Sequence, residues 1–332
     1  MPRTRTTLAA SAVLLLLATA CASGGGDREA PAPSDDPSWT TSTDPVATDG
    51  LVWAEGSVVH LPDGSTVDTG GAMTTYVVAG DGVYFTPADG DDVDHANMTT
   101  GPLSFADRDG AIVETGLTVY VESLGSSPDG RYLGVVDATS GPEDDFSDYH
   151  QATAVVVDLT TGERVVDTTD GMGDPTEDDL AHDYPETNLS VRFPDAGTAY
   201  VEGLGGIAYA LPGGEGTEVD PIDSPVRSPL DPTSPDGRWR IDDRGAQPVL
   251  LSADGERLRP RTGTDSWEPG WWLDDTTVLG VAPTGPGGTR SVITCVVPDG
   301  ACTSVEGTAG AVVRLPVDTS PTDLLDLGGA PQ

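Results

Sequence analysis

SPDGRYLGVVD at residues 127–137 and SPDGRWRIDD at residues 234–243 decide the fold. Each string sets a Ser-Pro-Asp-Gly turn before an extended run. Pro presets φ for the second position of a type I turn, and Gly at the fourth tolerates a left-handed backbone. The runs that follow are seven and six residues long, a strand length rather than a helix length. No apolar stripe at i, i+3, i+4, i+7 spacing occurs after residue 21, so the core is expected to be built from strands.

Working outward, one hairpin pattern recurs: a short apolar strand, a turn ending in Gly, and a second strand rich in Val and Thr. Its copies are VVHLPDGSTV (58–67), LSFADRDGAIV (103–113), VVVDLTTGERVV (155–166), YALPGGEGTEV (209–219), VLLSADGERLR (249–259) and CVVPDGACTSV (295–305). The turn glycines read from the pattern are Gly64, Gly110, Gly162, Gly216, Gly255 and Gly300, each expected at positive φ. Their mean spacing is about 47 residues, near the length of a four-stranded propeller blade. Most hairpins have two further strands upstream. LTVYVESLG (117–125) and RYLGVVD (131–137) precede the third, LSVRFPDAG and TAYVEGLG the fourth, and WWLDDT and TVLGVAP the sixth.

With the downstream VVVDLTTGERV, the twin SPDG strings resemble TolB-type (YVTN-like) β-propeller repeats over roughly residues 47 to 316. The resemblance implies an all-β fold, a single propeller, and says little about function. Six four-stranded blades are preferred over seven. The first hairpin has only GLVWAEG (50–56) before it, and GAVVRLPV (310–317) is left over after the sixth. That final strand is expected to pair in the first blade and close the ring, which leaves only short edges exposed. Residues 47–317 thus form the propeller, and residues 318–332 a tail that is loose or laid over one face.

The amino terminus gives an address. Residues 1–7 carry Arg3 and Arg5, and LAASAVLLLLATA (8–20) runs directly into Cys21. The run is shorter than the ~20 apolar residues a spanning helix needs. Residues 1–20 therefore read as a signal peptide. The segment LATAC resembles a bacterial lipobox, with Ala18 where Leu is usual. That resemblance implies a diacylglycerol on the Cys21 thiol and attachment to the cell membrane, facing away from the cytoplasm. Two or three acyl chains anchor stably. Residues 21–46, rich in Gly, Ser, Pro and acid, have almost nothing to bury and read as a disordered linker.

The formal charge is −39, from 55 acids against 16 arginines, with no lysine in the chain. Such a field repels nucleic acid and anionic headgroups, so neither is an expected partner. Besides Cys21, the chain has Cys295 and Cys302, and an oxidising compartment favours a disulfide between them. A two-residue loop at Pro298-Asp299 sets them directly opposite, whereas a three-residue loop with Gly300 as a bulge turns the thiols to opposite faces.

Three long insertions fall on one face of such a propeller: 89–101, 140–151 and 169–186. Each carries one histidine among acids. His95, His150 and His182 with Asp91, Asp94, Asp148 and Asp183 form a candidate site for a divalent metal or a cationic ligand. No H-x-H or H-E-x-x-H spacing accompanies them, and a solvated insertion is the simpler reading. Trp267, Trp271 and Trp272 form a second candidate, for stacking a sugar or a quaternary cation, with Tyr149 and Tyr184 joining the surface; burial between blades is the commoner fate of such residues. No G-x-S-x-G elbow or phosphate loop is present, and no cofactor is required. The expectation is a monomeric, non-catalytic envelope module that binds a protein, peptide or glycan through one propeller face. The alternative is an envelope-polymer hydrolase using acids near the channel.

Overall fold

The computed structural model describes residues 39–46, 48, 50–88, 93–95, 98–245, 247–264, 266–284, 286–322 and 324–328. The segment expected to be a signal peptide, Cys21, Asp91 and most of the expected linker lie outside these residues. Among them no helix is long and apolar enough to cross a membrane. The regular structure of the described residues is nearly all β, with one α-helical turn at Leu180–Asp183 and three short 3-10 turns.

The strands form successive antiparallel meanders. The first contains Trp53–Glu55, Val58–His60 and Thr66–Asp68; the second, Met73–Ala79, Gly82–Pro87, Met98–Asp107 and Ile112–Tyr120. The third comprises Gly125–Ser126, Tyr132–Asp137, Thr153–Asp158 and Glu163–Thr168, and it joins the second through a Val119–Asp137 pair. The fourth runs Ser190–Asp195, Thr198–Glu202, Gly206–Ala210 and Glu215–Val219. The fifth has three strands, Trp239–Asp242, Val249–Ser252 and Arg257–Leu258. The sixth is Glu268–Trp272, Thr277–Pro283, Arg290–Val296 and Ala301–Ser304.

The twin SPDG strings fold alike because the same atoms close both turns. In each, the Gly N–H donates to the Ser carbonyl, Gly130 to Ser127 at 2.8 Å and Gly237 to Ser234 at 2.9 Å. The Ser hydroxyl donates to the Asp two residues on, and its oxygen accepts the N–H of Tyr132 or Trp239 at 2.9 Å. Both glycines sit at positive φ, 68° and 73°.

The leftover strand pairs as expected: Val312–Arg314 lies beside Trp53–Glu55, with Arg314 opposite Ala54. Three expectations change. Residues 318–332 are not simply a tail, since Leu324–Asp326 adds a further strand against Val312–Arg314. LTVYVESLG is not the inner strand of the third meander; its first residues continue Ile112–Tyr120, because the ten-residue strand Met98–Asp107 offers hydrogen-bonding partners up to Tyr120. Only Gly125–Ser126 remains for the inner position. At the fourth hairpin the positive-φ glycine is Gly214, at 69°, not Gly216. Gly216 lies within the outgoing strand, opposite Tyr209.

The core is divided between neighbours. Separate buried clusters join the first and second meanders, the second and third, the third and fourth, and the fifth and sixth. A further cluster joins the sixth to the first, with Trp271, Leu279 and Val292 packed against Trp53, Val313 and Leu315. Each hairpin is too small to hide its own apolar face, so each depends on the next. The 3-10 turn and loops between the fourth and fifth carry the two most exposed large apolar side chains among the described residues, Ile222 (88%) and Leu230 (75%).

Candidate functional site

A cavity of about 710 Å³ opens where the first strands of the meanders, or the segments leading into them, come together. Its walls are Val78, residues 126–128, 192–194, 225–227 and 271–274, Leu51 and Val52, and Leu315, Pro316 and Asp318. Phe193, Trp271 and Leu315 supply apolar surface, and four charged side chains face it: Arg192, Arg227, Asp274 and Asp318.

Two of the four are already engaged. Arg227 pairs with Asp231 at 3.4 Å. Asp274 Oδ1 accepts the N–H groups of Thr276 and Thr277 and the Thr276 hydroxyl. Burial works to raise the Asp274 carboxyl, but those hydrogen bonds hold it below the ordinary carboxylate range.

Arg192 and Asp318 differ. Arg192 rises from Ser190–Asp195 and donates Nη1 to the Leu124 carbonyl at 2.8 Å and Nη2 to that of Glu122 at 3.5 Å. Burial lowers its pKa, against the pull of Asp318, Glu202 and Glu122. Asp318 accepts on Oδ2 both the Ser126 N–H and the Ser126 hydroxyl, each at 2.9 Å. Burial raises its carboxyl above the usual range, with Arg192 and Ser126 compensating only in part. The Val317 N–H, donating to Tyr76 O at 3.2 Å, and the Tyr76 hydroxyl, donating to Arg314 O at 3.1 Å, hold this segment against the second meander. Neither Arg192 nor Asp318 was singled out in the sequence. Arg192 lies there within the LSVRFPDAG strand, and Asp318 at the start of the tail.

The candidates drawn from the sequence occupy other places. The Trp267, Trp271 and Trp272 side chains are buried, at 8%, 5% and 7% exposure. Trp267 and Trp272 donate their indole N–H to the carbonyls of Pro248 and Pro232. Trp271 and Trp272 also line the cavity.

The insertions 140–151 and 169–186 pack together. The Asp145 N–H bonds Pro175 O, the Gln151 amide reaches Gly173 O, and the buried Tyr184 hydroxyl links Met172 O with the Ala152 N–H. His150 Nδ1 lies 2.9 Å from Gly141 O, and Tyr149 is half-buried against the same core. His182 and Asp148 are exposed, and Asp183 is half-buried. His95 and Asp94 belong to a short strand, Val93–His95, paired with the start of Met98–Asp107; their side chains lie outside the description. Among the described residues no group of three or more His, Cys, Asp and Glu side chains is arranged to hold a metal ion. The fourth histidine, His60, stacks on Trp53 at 3.9 Å, directly across the strand pair.

Cys295 and Cys302 are joined by a disulfide. They stand directly opposite, with Val296 opposite Ala301, so the register is that of the shorter loop.

No protein-family model matches the chain, and no curated protein matches it. Among solved structures it is similar to TolB from Acinetobacter baumannii, at 13% identity and a TM-score of 0.34, over 75% of this chain and 61% of that one. It is also similar to the β-propeller domain of the Trilobed protease from Pyrococcus furiosus, at 12% identity and a TM-score of 0.34, over 81% and 85% of the two chains. A third likeness is to the AtxE2 isopeptidase, at 10% identity and a TM-score of 0.36, over 88% and 55%. The chain thus spans about three-fifths of the TolB chain it matches.

Proposed function

We propose that this is a lipid-anchored envelope protein, attached through Cys21, whose meanders form a six-bladed propeller that binds a ligand in the cavity and catalyses nothing. Packing of the sixth meander on the first, with Val312–Arg314 paired to Trp53–Glu55, supports a closed ring. The observation that carries the binding reading is the cavity itself. It is partly apolar, bordered by first-strand segments, and exposes one cation and one anion that are not paired with each other. Concave sites with a few convergent polar groups are where small ligands bind.

The hydrolase alternative has one observation in its favour. Asp318 and Asp274 line the same cavity with pKa values displaced in opposite directions, as an acid and a base require. Against it, Asp274 is committed to closing its turn through three hydrogen bonds, and among the described residues no histidine lines the cavity to activate Ser126 or Ser127.

The test is made in a bacterial host on the full chain. Labelling with an alkyne fatty acid is expected to mark the wild type in the membrane fraction and to be lost in Cys21→Ser. A photocrosslinking residue in place of Thr319, at the cavity rim, is expected to capture a peptide, protein or glycan of the envelope. The same residue at Asp109, on a hairpin turn, is expected to capture none. Equal adducts at both positions, or label retained in Cys21→Ser, would overturn the proposal. Turnover of cell-wall substrate that disappears in Asp318→Asn would instead establish the hydrolase.

A further inference from the structure

Arg192 and Asp318 face one cavity, yet no ion pair within 4.0 Å joins them to each other. Arg192 spends two donors on neutral carbonyls, and Asp318 takes its two hydrogen bonds on Oδ2 from a single serine. Both side chains are half-buried in the cavity wall and act on each other only through space, so each would gain from an opposite charge in direct contact. A ligand carrying only an anion would be repelled by a chain of net charge −39, and one carrying only a cation would be drawn everywhere on its surface. A zwitterion suffers neither effect. A volume of about 710 Å³ admits a few residues of extended chain and no folded partner. Phe193, Trp271 and Leu315 line the same cavity and offer apolar contact.

From this we infer that the cavity binds a short linear peptide with both ends free, its terminal carboxylate on the Arg192 guanidinium and its terminal ammonium on the Asp318 carboxylate. Planar guanidinium suits two-point recognition of a carboxylate. The Ser126 N–H and hydroxyl fix Oδ2 of Asp318, so its other oxygen can be turned toward the ammonium. This assignment rests on the binding-module reading given above.

The experiment is calorimetric titration of the mature protein with tri-alanine, its C-terminal amide and its N-acetyl form, with alanine and di-alanine as shorter probes. Tri-alanine is expected to bind more tightly than alanine, and either cap to weaken it by about tenfold or more, the cost of losing a charge-assisted hydrogen bond. In Arg192→Gln amidation should make no further difference, and in Asp318→Asn acetylation should make none. If Arg192→Gln does not fold, because its guanidinium holds the Glu122 and Leu124 carbonyls, the acetylated peptide against Asp318→Asn carries the test alone. The inference is overturned if both capped peptides bind like the free one, if the capping penalties persist in the variants, or if no peptide binds at millimolar concentration. Alanine binding as well as tri-alanine also overturns it, leaving a free amino acid as the ligand. The readouts are separable: an envelope adduct without a capping effect removes the peptide assignment alone. A capping effect without an adduct keeps it and removes the envelope reading.

Discussion

Gly130 and Gly237 hold the same place in the same turn, but their surroundings differ. A Cβ on Gly130 would lie 3.2 Å from Pro45 Cβ and 3.3 Å from Val46 O, whereas one on Gly237 would meet nothing within 4 Å. Both substitutions force an L-residue into positive φ, at about 1 kcal/mol. Gly130→Ala should cost roughly 1 kcal/mol more than Gly237→Ala from crowding alone, and urea titration of the two variants measures the difference. Asp318 gives a pH-dependent contrast. Burial raises its folded pKa above the unfolded value, so the folded protein holds the proton more tightly. Stability attributable to this group is therefore greatest in acid, where both states are protonated, and declines as pH rises through the unfolded and then the folded pKa. The neutral variant Asp318→Asn should be more stable than wild type at pH 7. The two should converge below about pH 4, near the ordinary carboxylate value. Thermal melts across that range with no convergence would show that Arg192 and Ser126 fully compensate the burial of the charge.

Among the elements, the hairpins were the most legible part of the sequence, because a turn is fixed by a few adjacent residues. Five of the six turn glycines were assigned correctly. The miss at Gly216 arose because Leu211-Pro212-Gly213-Gly214 offers an earlier turn, closed by the Gly214 N–H on Ala210 O. Inner strands were harder to read. Gly125–Ser126 has two residues, and the fifth meander has only a bridge between Thr233 and Arg240 in that position. So short a strand leaves no periodicity in the sequence. The sixth hairpin carries a covalent cross-link. Removing it in Cys295→Ser/Cys302→Ser should cost about 2.5 kcal/mol on the chain-entropy account of an eight-residue loop. Denaturant midpoints of the variant and of oxidised wild type, with matched slopes, check this.

For the whole molecule, the chain's last strands matter most. Ala311, Val313, Leu315 and Leu327 are buried against Trp53, Trp271 and Val292. At roughly 1.5–3 kcal/mol for each large buried side chain, losing them would remove a large share of the ~5–15 kcal/mol that stabilises a typical domain. A chain ending at residue 309 is expected not to fold. One ending at residue 322, which keeps Val312–Arg314 and loses Leu324–Asp326, is expected to fold with a lower melting temperature. Soluble yield and calorimetry of the two truncations distinguish these outcomes, and equal stability would show that the terminal strands do not close the core.

What the amino-acid sequence determined by itself is local: where strands start and stop, which turns join them, that two cysteines face each other in one of two registers, and that one strand is left over to pair with the first. These follow from backbone φ preferences and alternation, which act over a few residues. Tertiary structure decided the rest. It chose the register that joins Cys295 to Cys302, buried the three tryptophans, and brought Asp318 from an apparent tail to face Arg192, 126 positions away in the chain. The physical reason is desolvation. Whether a charge or a ring is costly or useful depends on what surrounds it, and those surroundings come from distant segments.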